Sequence, residues 1–155
     1  MNSESYYFRR LRAQNPAAPS NATFTVDNTT PTTTIGSIDI LVDSGTSDTD
    51  FLTNTASQTI TATLSSGLIS GEVLYGSVDN GNNWINITSK VSGTSITWNT
   101  ATLSGSSSIA FKVTDAAGND GPIATQAYVL DTVDPTTTIG SIDISVDSGT
   151  SNTDF

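Results

Sequence analysis

Residues 31–51 read PTTTIGSIDILVDSGTSDTDF, and residues 135–155 read PTTTIGSIDISVDSGTSNTDF. The two stretches differ only at Leu41/Ser145 and Asp48/Asn152, and the second begins 104 positions after the first. Chance does not produce such identity, so the chain holds one full period of a tandem repeat and the opening of the next. Solenoid units run about 20–50 residues. A period of 104 is instead the size of a complete small domain. Residues 27–134 are therefore expected to form one bead on a string, and 135–155 the truncated start of the following bead. Under the same shift, TFTVD at 23–27 lies against AYVLD at 127–131. Residues 1–26 then read either as the tail of a preceding, diverged unit or as a disordered segment.

What one bead folds into follows from its periodicity. Ser and Thr dominate, no segment sustains a 3.6-residue apolar period, and alternation with β-branched residues recurs. Seven strands are expected: A at 32–40, B at 57–64, C at 72–79, C′ at 83–90, E at 94–99, F at 107–114 and G at 123–131. In strand B, Ile60, Ala62 and Leu64 point inward. In strand F, Ile109, Phe111 and Val113 point inward and Lys112 outward. Between the strands lie SSGLISG, DNGNN, VSG, LSGS and DAAGND, rich in residues that take turn conformations. Short strands bounded by turns, with no helix between them, predict an all-β, immunoglobulin-like antiparallel sandwich. With no cysteine in the chain, aliphatic and aromatic packing must replace the usual inter-sheet disulfide, and Trp84 and Trp98 are the large core candidates.

Composition narrows the function classes. The net charge is −10, and three of the five bases (Arg9, Arg10, Arg12) lie in the first twelve residues. Beyond them, fourteen acids face only Lys90 and Lys112, and all of those acids except Glu72 are Asp. Nucleic acid and anionic lipid are therefore poor partners for the repeat. No stretch is long and apolar enough to span a membrane, and the N-terminus lacks the apolar core of a signal peptide. The absence of His and Cys removes the commonest nucleophile–base pairs, and no paired carboxylates fall in an evident cleft, so an enzyme is not expected.

Two motifs carry chemistry. SVDNGNNW at 77–84 resembles the Asp-box, Ser-x-Asp-x-Gly-x-x-Trp, of sialidase propellers and many extracellular β proteins. Asp79 is expected to bond backbone N–H groups across a hairpin turn, with Gly81 at positive φ and Trp84 capping the hairpin. That role is structural rather than ligand-binding. The repeated VDSGTSDTDF at 42–51 packs Asp43, Asp48 and Asp50 into eight residues. Oxygen ligands at this density suit Ca²⁺, which takes about 6–8 of them in irregular geometry. The spacing is not that of an EF-hand, and the same residue types also make ordinary turns without a metal.

DSGTSDTDFLTN after strand A, SVDNGNNW, VTDAAGND before strand G and the linker DTVDPTTT together resemble the bacterial Ig-like repeats of giant surface adhesins. These are the biofilm-associated and RTX-type proteins, and the likeness covers about residues 27–155. It implies a secreted, cell-surface extender module that holds an adhesive tip away from the cell, its partners being neighbouring repeats, with calcium rigidifying the domain junctions. In such a sandwich the A–B loop lies at the exit end and the F–G loop at the entry end. Asp43, Asp48 and Asp50 are then expected near Asp131 and Asp134 of the exit linker. Asp115, Asn119 and Asp120 are expected near Asp27 of the entry linker. Asn152, standing where the first copy has Asp48, weakens position 48 as an essential ligand. A second class of function is a glycan- or protein-binding module acting through exposed loops. A near-identical copy favours the structural class, since an array needs many similar beads and recognition needs only one.

Overall fold

The computed structural model describes residues 25–142, together with 146, 150 and 151. The expectations for residues 1–24 and for most of 143–155 lie outside the described residues. Within them the chain is all-β, with nine strands where seven were expected. These are β1 (Ile35–Ile40), β2 (Leu52–Thr53), β3 (Ser57–Leu64), β4 (Val73–Ser77), β5 (Ile85–Asn86), β6 (Val91–Ser92), β7 (Ser95–Thr102), β8 (Ser107–Thr114) and β9 (Ala124–Leu130). They form a four-stranded sheet in the order β1-β3-β7-β6 and a five-stranded sheet in the order β2-β9-β8-β4-β5. Every pairing is antiparallel except β2 with β9, which is parallel.

The inward residues of both sheets share one apolar core. Ile60, Ala62 and Leu64 of β3 and Ile96 and Trp98 of β7 meet Leu74 of β4 and Ile109, Phe111 and Val113 of β8. Trp98 packs edge-on against Phe111, with ring centroids 6.2 Å apart. Alternation in strands B and F thus fixes the register, and a slip of one residue would turn every one of these side chains to solvent.

Two expectations are corrected and a third is qualified. Strand C′ does not run from 83 to 90. After two residues of β5 the Thr88 hydroxyl accepts the N–H of Leu74 at 3.0 Å, taking a place a backbone carbonyl would hold in a ladder. A 3-10 turn over Thr88–Lys90 follows, and β6 then joins the other sheet. A segment that crosses between sheets cannot remain one strand. Trp84 lies outside the core cluster, half-buried, and packs its ring against Lys112. Lys112 faces away from the core as expected, yet its side chain is only 16% exposed because neighbouring groups cover it.

The chain also switches sheets between β1 and β2, and the Asp-rich loop at 41–51 is that crossover. Gln58, buried at the head of β3, holds it in place. Its Nε2 donates to the carbonyls of Val42 (2.8 Å) and Thr55 (3.0 Å), and its Oε1 accepts the N–H of Val42 (3.1 Å). The hydroxyl of Thr53 donates to the carbonyl of Val42 at 2.7 Å. A polar side chain is tolerated at this depth because its bonds are satisfied.

The second copy of the repeat provides an internal comparison. Ile35 is 9% exposed in β1, whereas its counterpart Ile139 is 82% exposed and belongs to no strand. Ile142 and Val146 are likewise exposed. Ile35 is thus covered where β3 lies beside it and Ile139 is bare where no described strand does, while Val42, the counterpart of Val146, is itself 39% exposed.

Candidate functional site

At the exit end, β2 lies beside β9 because the N–H groups of Val129 and Asp131 donate to the carbonyls of Phe51 and Thr53, both at 2.9 Å. Asp43 is drawn into the same region, its Oδ2 accepting the N–H of Phe51 at 2.9 Å. Its other oxygen, Oδ1, is buried with no hydrogen-bond partner. Asp50 folds back across the loop. It accepts the N–H groups of Leu52 (3.0 Å) and Ser47 (3.2 Å) and the hydroxyl of Thr46 (3.3 Å). The Leu52 N–H leads the set that holds its carboxyl below the usual range, with a further contribution from the adjacent Asp43 side chain. A Cβ at position 45 would lie 2.5 Å from Asp50 Oδ1, so glycine there admits the carboxylate. Asp48 and Asp134 are exposed, and neither side chain bonds another described residue. Asp131 Oδ1 accepts the N–H of Val133 at 3.0 Å. The structure therefore brings Asp43 and Asp50 together and ties their loop to the backbone of Asp131, leaving Asp48 and Asp134 at the surface.

At the entry end, Asp115 closes the β8–β9 turn by accepting the N–H groups of Ala117 (2.9 Å) and Asn119 (2.8 Å). The amide of Asn119 donates to Asp115 at 2.9 Å and to the carbonyl of Asp27 at 3.0 Å, which joins this loop to the entry segment. These bonds, with Asn119's amide foremost, hold the Asp115 carboxyl below its usual range. Asp27, Thr30, Ile69, Glu72 and Asp115 line an open groove of about 290 Å³. Asp120 is turned elsewhere. Lys112 Nζ donates to it at 2.7 Å and the Thr114 hydroxyl at 2.6 Å, and this pairing lowers its pKa. Among the described residues no three acidic side chains gather into one cation-ready group.

The third constellation is the β4–β5 hairpin. The Ser77 hydroxyl, fully buried, donates to Asp79 Oδ1 at 2.6 Å and accepts the N–H of Gly81 at 2.9 Å. Asp79 in turn accepts the N–H of Asn83 at 2.9 Å and its side-chain amide on the other oxygen. These donors, Ser77 first, lower the Asp79 pKa to about 2. Gly81 has φ +82, and a Cβ there would meet Trp84 at 3.1 Å. Ser77 is paired with Ala110 and both are buried, although Ala110 alternates with core residues Ile109 and Phe111. The hairpin tip thus covers the outer face of its own sheet. Lys112 Nζ sits 4.7 Å from the Trp84 ring and 5.9 Å from Tyr75, a cation–π arrangement that straps the hairpin to the β8–β9 loop through Asp120.

Sequence reasoning missed Gln58, Tyr128 and the Lys112–Asp120 pair. Gln58 lies in phase with Ile60 and Ala62, so the alternation already marked it as inward. Tyr128 is buried on β9 and donates its hydroxyl to the carbonyl of Val78 at 2.7 Å. No known protein family, curated protein or solved structure matches the chain.

Proposed function

We propose that the chain is a structural extender module of a secreted, surface-attached bacterial adhesin, built from immunoglobulin-like beads and stiffened by calcium where they join. It serves cell adhesion or biofilm formation and carries no catalysis. The observation that carries this reading is the repeat. Its period of 104 spans one two-sheet unit, and the second copy begins at Pro135, with four residues (131–134) between it and the last residue of β9. The strand orders β1-β3-β7-β6 and β2-β9-β8-β4-β5 support the Ig-like assignment, since they follow the A-B-E-D and C-F-G pairing of that fold. Four intervening residues span at most about 14 Å, so consecutive beads meet end to end.

The donor chemistry at the exit end suits calcium. Asp43 presents a buried oxygen without a partner beside a second carboxylate, Asp50, and their loop is bonded to the strand that leads into the linker. Asp43 and Asp50 would hold the ion there, and Asp131, Asp48 and Asp134 would join them only by swinging in, since no three acidic side chains gather among the described residues. Asp27 and Asp115 would hold one at the entry end, where Asp120 contributes only on leaving Lys112. Bound calcium would neutralise the carboxylates that otherwise repel across the junction.

The test is a thermal melt of the protein in EDTA and in millimolar calcium. A ligand that binds only the folded form stabilises it by RT ln(1 + [L]/Kd), about 2.7 kcal/mol at a hundredfold excess over Kd. The melting temperature should rise with calcium, and Asp43→Ala and Asp131→Ala should each blunt the rise. Asp39→Ala, in β1, should leave it intact. Superimposable melts in the two buffers would remove calcium and leave a plain spacer.

A further inference from the structure

Asn80–Gly81 is the only Asn–Gly step in the sequence, and it stands at the tip of the β4–β5 hairpin. In an unrestrained chain such a step modifies itself. The glycine nitrogen bonds to the side-chain carbonyl carbon of Asn, and the side-chain nitrogen leaves as ammonia. Water then opens the resulting succinimide to Asp or isoaspartate. Glycine offers least obstruction to this attack because it has no side chain.

The nitrogen that would attack is held in this hairpin. The Gly81 N–H donates to the Ser77 hydroxyl at 2.9 Å, and Ser77 is itself buried and fixed by Asp79 at 2.6 Å. On the other side, the N–H of Asn80 donates to the carbonyl of Ser108 at 2.9 Å. Asn80 has φ 59 and Gly81 φ 82, so the step is locked in the left-handed region. The Asn80 residue is exposed, and water reaches it freely.

We propose that Asn80 is a latent deamidation site held shut by the Ser77–Asp79 network. The closed hairpin suppresses succinimide formation, and local opening releases it. The product adds one negative charge to a chain already at −10. As isoaspartate it also lengthens the backbone within the tightest turn of the hairpin, so the bonds of Ser77 to Gly81 and Asp79 to Asn83 do not re-form together. The modification would leave a permanent record of opening at this position.

The experiment incubates the 155-residue protein near neutral pH, folded and in urea at the same temperature. Peptide mapping follows a gain of about one mass unit at Asn80, and isoaspartate-specific methylation identifies the rearranged product. The folded protein should react at least about tenfold more slowly than the protein in urea. Ser77→Ala, shown to be folded by circular dichroism, should lose most of that protection. Equal rates in folded and urea-unfolded protein would overturn the proposal, as would a folded Ser77→Ala as protected as the wild type. Asp79→Asn supplies the same comparison if Ser77→Ala does not fold.

Discussion

Asp79 is gripped on both carboxylate oxygens, and that determines how it responds to acid. Its pKa falls from an ordinary 3.8 to about 2 because Ser77 and Asn83 donate to the ionised form. A depressed folded-state pKa stabilises the fold above the unfolded value, and the contribution is lost as pH falls from the ordinary value through the folded one. Asp79→Ala should therefore lower the melting temperature at neutral pH, and the gap to the wild type should close as pH falls from about 4 to about 2. Melting curves of both proteins across that window check this; a gap that does not narrow would place the origin elsewhere. The same substitution should leave the calcium response unchanged, since the Asp79 carboxylate bonds only Ser77 and Asn83 and none of the acids at either linker end. Residue identity told much here: SVDNGNNW announced its own turn. The place of Trp84 did not follow from it, because whether an aromatic caps a hairpin from outside or enters the core depends on which face the turn folds over. Leu41 and Asp48, the two positions that differ between the repeat copies, are both exposed, with Leu41 at 72%.

Among the elements, the crossover loop between β1 and β2 depends on one side chain. Gln58→Ala would leave the Val42 N–H and the Thr55 carbonyl without this partner in a part-buried place, and the Val42 carbonyl with the Thr53 hydroxyl alone. A buried group left unsatisfied costs about 1–3 kcal/mol, so the substitution should destabilise by roughly 2–4 kcal/mol in chemical denaturation. It should also expose the 43–50 stretch to proteolysis before the rest unfolds, and a variant that resists cleavage there would deny Gln58 this role. The strands legible in the sequence were those with long alternation: B at 57–64 and F at 107–114 match β3 and β8 residue for residue. β2 and β6 have two residues each, too few to show any period. The segment after the Asp-box changed sheets, which local alternation does not encode. Topology correctly placed Asn119 against Asp27 and the Asp43 loop beside β9, which ends one residue before Asp131. It missed that Asp120 turns to Lys112, because both lie on the same β8–β9 hairpin and the sequence does not say which way an exposed carboxylate faces.

At the scale of the whole molecule, charge and repetition act together. In the proposed array, fourteen acids against two lysines beyond residue 12 would bring like charges together at each junction, and within a Debye length of about 8 Å at physiological salt they would repel. Without a cation a short linker between two such ends should hinge; with calcium shared across it, the ends should align. The direct measurement is small-angle scattering on a chain carrying two complete units at the natural spacing of 104, in EDTA and across the millimolar calcium range. The maximum dimension should grow and the profile narrow toward a rigid rod as calcium is added, with Asp43→Ala and Asp131→Ala at the shared junction abolishing the change. Identical scattering with and without calcium would contradict the account.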